Sequence, residues 1–130
     1  MFQAAFPHGL PARLGGADRL GVVVREFFRL VEQAETQARF AACITRYYYT
    51  LSDSENREIL SYHWHPDQPG MVAYPHLHLG PGAQLGWRKL AGAHLPTGQV
   101  RLEDLLRLAI GELGVQPRRK DWKEVLRTTQ

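Results

Sequence analysis

Apolar and polar residues follow two different periods along the chain, and these periods predict the order of helices and strands. Five apolar residues in the first third recur at the spacing of one helical face: Val23, Phe27, Leu30, Val31 and Ala34. Asp18 can cap the start of this segment. The pattern predicts an amphipathic helix that ends near Gln37 and follows an extended, Gly- and Pro-rich arm over residues 1–16.

Three segments in the middle of the chain are rich in β-branched and aromatic residues. They cover about 39–51, 58–65 and 71–79, and they are separated by the turn clusters Ser52–Asn56 and Pro66–Gly70. Connections this short make neighbouring strands antiparallel, because parallel strands need long crossovers. The middle of the chain is therefore predicted to be a three-stranded antiparallel meander.

The last third of the chain predicts two helices. Leucines give an apolar helical face over about 102–113, and Gly114 is placed to end it. A capping-box pattern then opens a short helix over about 121–127. The predicted architecture is one α+β domain over residues 1–130: an N-terminal amphipathic helix, a three-stranded antiparallel meander and two C-terminal helices.

Composition places the chain among ordinary globular proteins. With 130 residues and 44% of them apolar, it can bury a core without disulfides. The single cysteine, Cys43, is expected to be buried, and a chain without an internal disulfide suits a reducing cytoplasm. The apolar runs are too short to span a membrane, and the N-terminus lacks the pattern of a signal peptide. We therefore expect a cytoplasmic protein.

Basic residues are concentrated toward the C-terminus. Residues 1–83 carry seven Arg against eight Asp or Glu, whereas residues 84–130 carry nine Lys or Arg against five acidic residues. An anionic partner such as RNA would be attracted to this part, although a solvated surface gives the same pattern. The residues predicted to contact RNA are Arg46, Trp87, Arg88, Lys89, Arg118, Arg119 and Lys120.

The most distinctive chemistry is a set of histidines in the second and third predicted strands. His63 and His65 form one His-X-His pair, and His76 and His78 form another. Residues two apart on a strand share a face, so each pair projects from one side of the backbone. All four share a face if the intervening leucines and tryptophan point to the core, and His94 follows in the next loop.

Three interpretations of these histidines remain open. They can be half-exposed polar residues on a sheet, or they can bind Zn²⁺ or Ni²⁺. They can also cleave RNA without a metal, one imidazole accepting the 2′-hydroxyl proton and another protonating the leaving oxygen while a nearby cation stabilises the phosphate. The candidates for proton transfer are His63, His76 and His78, with His65, His94 and Tyr49 as second-tier candidates and Arg46, Arg88 and Lys89 as cations.

Three short motifs resemble the signature of the TumE-type toxins of bacterial type II toxin–antitoxin systems. They are Tyr62-His63-Trp64, Pro75-His76-Leu77-His78-Leu79-Gly80 and Leu102-Glu103-Asp104-Leu105-Leu106. The resemblance covers about 47–113, roughly half the chain. It implies a small α+β ribonuclease that needs no metal, is neutralised by a cognate antitoxin with a DNA-binding domain, and uses His63, His76 and His78.

The sequence therefore favours an RNA-acting toxin of a toxin–antitoxin pair. Its expected partners are RNA and an antitoxin, without a metal, another cofactor or a membrane, and a homo-oligomer is compatible with the sequence. Two alternatives stay open: a non-catalytic protein-binding module, and a metal-dependent hydrolase that uses the same histidines.

Overall fold

An antiparallel sheet of seven strands dominates the computed structural model, which describes residues 1–6, 9–34 and 39–127. The strands are β1 (Phe2–Ala5), β2 (Ala12–Arg13), β3 (Gly21–Glu32), β4 (Phe40–Ser52), β5 (Glu58–Trp64), β6 (His76–Leu79) and β7 (Leu95–Pro96). A 3₁₀ turn (Pro81–Ala83) follows β6, and the helices are α1 (Leu102–Gly111) and α2 (Trp122–Val125). The strand order is β1-β3-β4-β5-β6-β7, and β2 also pairs with β3.

The segment predicted as the N-terminal helix is instead β3, so the predicted architecture is wrong. Its apolar residues fit a helical period, but they include the consecutive β-branched residues 22–24, which favour strands. Val22 and Val24 are buried opposite Leu51 and Tyr49 of β4, which gives the alternation of a half-buried strand. The predicted helix end near Gln37 lies outside the described residues.

The three-stranded meander is only the centre of the sheet. β4, β5 and β6 are antiparallel neighbours, but β3 and β1 extend the sheet on one side and β7 extends it on the other. β1 and β2 come from the segment 1–16, so the predicted arm contributes two strands that pair with β3. The additional strands follow from the pairing of distant segments, which local periodicity does not report.

The hydrophobic core lies on one face of this sheet, beneath α1. Leu105 and Ala109 of α1 are buried together with residues of β3 and β4: Val22, Val24, Tyr47, Tyr49 and Leu51. The hydroxyl of Tyr47 accepts a hydrogen bond from the backbone N–H of Val100 at 2.9 Å, which fixes the approach to the helix. We call this side of the sheet the core face.

Two further features bear on the sequence expectations. Cys43 is exposed, so the prediction of a buried thiol is wrong; β4 extends past the part of the sheet that α1 covers. None of the helices within 1–6, 9–34 and 39–127 is long and apolar enough to cross a lipid bilayer.

Candidate metal centre

The pairing of β5 with β6 brings the two His-X-His motifs together. His63 stands directly opposite His76, and Ser61 stands opposite His78. Directly opposed residues of an antiparallel pair project from the same face, so these histidines point away from α1. The prediction that they share a face is therefore confirmed. We call this side of the sheet, opposite the core face, the histidine face.

A fifth imidazole reaches the cluster from the loop before β7. β7 pairs with β6 so that Pro96 lies opposite His76, and this places His94 at the edge of the same group. The ring centroid of His94 lies 4.5 Å from that of His78 and 5.0 Å from that of His76. The centroids of His63 and His76 each lie 4.9 Å from that of His78. The sequence therefore folds five imidazoles into one cluster.

Three of these rings present nitrogen atoms to a common point. Ring nitrogens of His63, His76 and His78 all lie within 4.8 Å of one another. A tetrahedral Zn²⁺ ion with Zn–N bonds of about 2.1 Å requires nitrogens about 3.4 Å apart, so the three rings would have to move closer together to bind it. We call these three residues the histidine triad.

His76 is fixed in the orientation that a metal ligand needs. Its Nδ1 donates a hydrogen bond to the backbone carbonyl of Tyr74 at 2.8 Å, which leaves Nε2 with a lone pair in the neutral ring. That Nε2 is buried and has no hydrogen-bond partner among the described residues. A buried polar atom without a partner is unfavourable, and a bound metal would satisfy it.

The environment of the triad keeps its imidazoles neutral. Burial, with a further contribution from the charges of neighbouring histidines, lowers the pKa of His63 to about 4. Burial is also the largest cause that lowers the pKa of His76 and of His78. Neutral imidazole is the form that binds metals, so the triad is in the correct protonation state near neutral pH.

His65 packs against the histidine cluster but is not one of the three triad residues. It is 2% exposed, and its ring stacks on Tyr48 with centroids 5.6 Å apart. Its centroid lies 5.3 Å from that of His76, and its Nδ1 lacks a hydrogen-bond partner within the described ranges. His65 and Tyr48 thus hold the inner side of the cluster, whereas His94 is exposed at the outer side.

The predicted tyrosine candidate lies on the other side of the sheet. Tyr49 is buried on the core face, where its hydroxyl donates a hydrogen bond of 2.6 Å to Glu26. Burial and this carboxylate raise the pKa of Tyr49. The tyrosine on the histidine face is Tyr48, which stands opposite His63. Tyr49 therefore does not join the histidine cluster.

The basic residues predicted to contact RNA do not form one surface. Arg46 lies on the histidine face, and Trp87, Arg88 and Lys89 are exposed in the loop that follows the 3₁₀ turn. The third group, Arg118, Arg119 and Lys120, belongs to the C-terminal segment; the two arginines line a cavity against α1, on the core side of the sheet. Of the residues predicted to contact RNA, Arg46 is the one that the strand register places on the histidine face.

Sequence reasoning missed Arg25, a basic residue on the histidine face. Arg25 of β3 stands opposite Tyr48 of β4, in the same row as His63. Arg25 alternates with the buried Val22 and Val24, and this alternation could have placed it on the opposite face of a strand. It was obscured because the segment also fits a helical period.

Comparison of the chain with protein-family models, curated proteins and solved structures gave no match. The resemblance to TumE-type toxins therefore stays a prediction from short motifs. The function has to be inferred from the geometry of the site.

Proposed function

We propose that the chain is a metal-dependent hydrolase, in which the histidine triad binds a divalent transition metal such as Zn²⁺. The convergence of the triad supports this proposal most strongly: the ring nitrogens lie within 4.8 Å of one another, and the buried Nε2 of His76 has no other partner among the described residues. Three protein ligands leave a coordination position open, as in catalytic rather than structural zinc sites.

The donor set determines the chemistry that this centre supports. Imidazole suits Zn²⁺, Cu²⁺, Ni²⁺ and Fe²⁺, and three neutral ligands leave the full positive charge of the ion uncompensated. A metal of this kind lowers the pKa of a bound water toward neutrality and stabilises negative charge that develops on a substrate oxygen. The exposed His94 lies on the solvent side, where it can contact an entering substrate.

A metal-free ribonuclease would use the same histidines in a different way. Its mechanism needs one imidazolium as a general acid at working pH. Burial lowers the pKa of all three triad residues, so this protonated form is scarce near neutral pH. The cluster therefore supports the metal-dependent reaction better. RNA as substrate, an antitoxin partner, a homo-oligomer and a cytoplasmic location stay predictions from the sequence.

Metal content and affinity test the proposed centre. We expect the purified protein to bind one Zn²⁺ per chain, measured by elemental analysis and by calorimetric titration after chelator treatment. His63→Ala, His76→Ala and His78→Ala should each reduce the affinity by at least about tenfold, as loss of metal-site groups commonly does. His94→Ala is the matched control and should retain one ion. Wild-type affinity in all three triad variants would refute the proposal.

A chelation experiment separates the two hydrolytic mechanisms. Cleavage of bis(p-nitrophenyl) phosphate and of an RNA strand is measured before chelation, after chelation, and after Zn²⁺ is restored. We expect chelation to abolish cleavage and Zn²⁺ to restore it in the wild type but not in His76→Ala. RNA cleavage that persists without metal and disappears in His63→Ala would instead support the metal-free ribonuclease.

A further inference from the structure

Arg25 and Arg46 share the histidine face with the triad. Arg25 stands opposite Tyr48, and Tyr48 stands opposite His63, so the three side chains form one row across β3, β4 and β5. Adjacent strands are about 4.8 Å apart, so the backbone of Arg25 lies about 10 Å from that of His63 along this row. Arg46 lies two residues before Tyr48 on β4 and faces the same way.

Both arginines are oriented by one aromatic ring. The guanidinium carbon of Arg46 lies 4.8 Å from the ring centroid of Phe27, and that of Arg25 lies 5.4 Å from the same centroid. Cation–π contacts of this kind hold the planar guanidinium groups and reduce the conformational entropy that anion binding would remove. We call Arg25, Phe27 and Arg46 the arginine clamp.

The clamp has no acidic partner among the described residues. Neither arginine takes part in any of the ion pairs that these residues form. The carboxylate adjacent in sequence, Glu26, projects to the core face and accepts the hydrogen bond from Tyr49. Two like charges beside one ring repel each other, and an anion bound between them would remove this repulsion.

We propose that the arginine clamp binds a phosphate group of the substrate, two strands away from the group that is hydrolysed at the histidine triad. This inference rests on the proposed function, because it takes the triad as the reactive centre. The substrate would then carry two anionic groups: one at the metal and a second, remote phosphate at the clamp. A mononucleotide has one phosphate and cannot occupy both positions, whereas a short nucleotide strand or a bisphosphate can.

Three probes test the clamp by calorimetry on the zinc-loaded protein: thymidine 5′-monophosphate, the trinucleotide pdTpdTpdT, and octane-1,8-diol bisphosphate. The trinucleotide and the bisphosphate each carry more than one phosphate. Arg25→Gln/Arg46→Gln should lower the affinity of whichever of them binds more tightly by about tenfold, as loss of charge-assisted contacts predicts. The affinity for the monophosphate should stay within about twofold. Lys123→Gln/Arg127→Gln removes the same charge from the exposed C-terminal segment and should leave all affinities unchanged.

The outcomes separate the clamp from general electrostatic attraction and identify the substrate class. Equal losses of affinity in the two double variants would overturn the proposal. So would affinities for the trinucleotide and the bisphosphate that Arg25→Gln/Arg46→Gln leaves unchanged. Tighter binding of the trinucleotide would assign the clamp to a nucleic acid strand, and tighter binding of the bisphosphate to a small molecule. Phe27→Leu keeps both charges and should weaken the same probe.

The clamp and the metal centre can fail independently. A wild-type protein that binds no Zn²⁺ would refute the proposed function, and the same titrations on the metal-free protein would still compare the two double variants. Retained Zn²⁺ stoichiometry in Arg25→Gln/Arg46→Gln shows that the sheet is intact, so its loss of affinity then reports the clamp alone.

Discussion

Folding strongly lowers the pKa of the His63 imidazole. Its pKa falls from 6.5 to about 4, chiefly because it is buried among other histidines. Above pH 6.5 it is neutral in both the folded and unfolded chains, so it adds no pH dependence. Between pH 6.5 and 4 the unfolded chain binds more protons, and the free energy of unfolding therefore falls as the pH falls.

This linkage predicts the acid stability of the metal-free protein. We expect His63→Asn to lose less stability than the wild type between pH 7 and pH 4.5. The difference should be on the order of 1–2 kcal/mol after allowance for solvent screening. Urea unfolding with a chelator present measures it at each pH. Because the pKa of His76 and of His78 is also lowered, some pH dependence should remain in the variant. An identical loss of stability in the wild type and in His63→Asn would contradict the lowered pKa of His63.

At the level of single residues, the sequence identified more of the triad than of its surroundings. Period-two spacing placed each His-X-His pair on one face, because side-chain direction on a strand alternates strictly. That both pairs share a face followed only from the expectation that the intervening leucines and tryptophan point to the core. The spacing did not reveal Arg25, whose position follows from the pairing of β3 with β4. It also did not separate Tyr48 from Tyr49, since which of two alternating faces is buried depends on where the helix packs.

Among the elements, the junction between β5 and β6 controls the geometry of the triad. Gly80 follows β6 directly, and a Cβ atom at this position would lie 2.4 Å from the carbonyl oxygen of Glu58 and 2.8 Å from its Cβ. A side chain there would push the end of β6 away from the start of β5. His78 lies two residues before this contact, so its ring would move relative to His63.

A pair of glycine variants tests this contact. Gly80→Ala should destabilise the protein by about 2 kcal/mol, in the range of steric core defects, and should weaken Zn²⁺ binding. Gly86→Ala is the control, because a Cβ atom at Gly86 has no neighbour within 4 Å in the described structure. Thermal unfolding and zinc titration of both variants give the comparison. Wild-type zinc affinity in Gly80→Ala would show that the junction does not position the triad.

The elements differ in how far the sequence could predict them. α1 begins at Leu102, where the apolar helical face predicts a helix, because that period coincides with good helix formers. β3 fits a helical period equally well, yet its valines and phenylalanines favour a strand once β4 is available to pair with. The very short strands β2 and β7 exist only through their neighbours, so no local signal predicts them.

In the whole molecule, the two faces of the sheet carry different groups of residues. One face packs against α1 and forms the core, while the other carries the histidines and the arginine clamp. A ligand on the histidine face therefore need not disturb the core. It should still stabilise the whole fold, because the triad combines residues of β5 and β6 that come together only in the folded chain.

This coupling predicts a zinc-dependent melting temperature. Free Zn²⁺ at about 100 times Kd should stabilise the protein by about 2.7 kcal/mol, provided that the unfolded chain does not bind it. Differential scanning calorimetry should show a higher melting temperature with Zn²⁺ and a return to the starting value with chelator. His76→Ala should show a smaller shift, because a tenfold weaker affinity lowers the stabilisation to about 1.4 kcal/mol, and His94→Ala should behave as the wild type. An equal shift in His76→Ala would mean that the stabilising ion binds elsewhere.

The alternation of histidine and leucine on β6 has a consequence for misfolding. If β6 slipped by one residue against β5, Leu77 and Leu79 would turn to the histidine face, and His76 and His78 would turn to the core face. A slipped chain would then lose its apolar contacts and its metal ligands in the same step. Binding of an ion would thus stabilise only the correctly paired strands, and the metal would favour the native register over the slipped one.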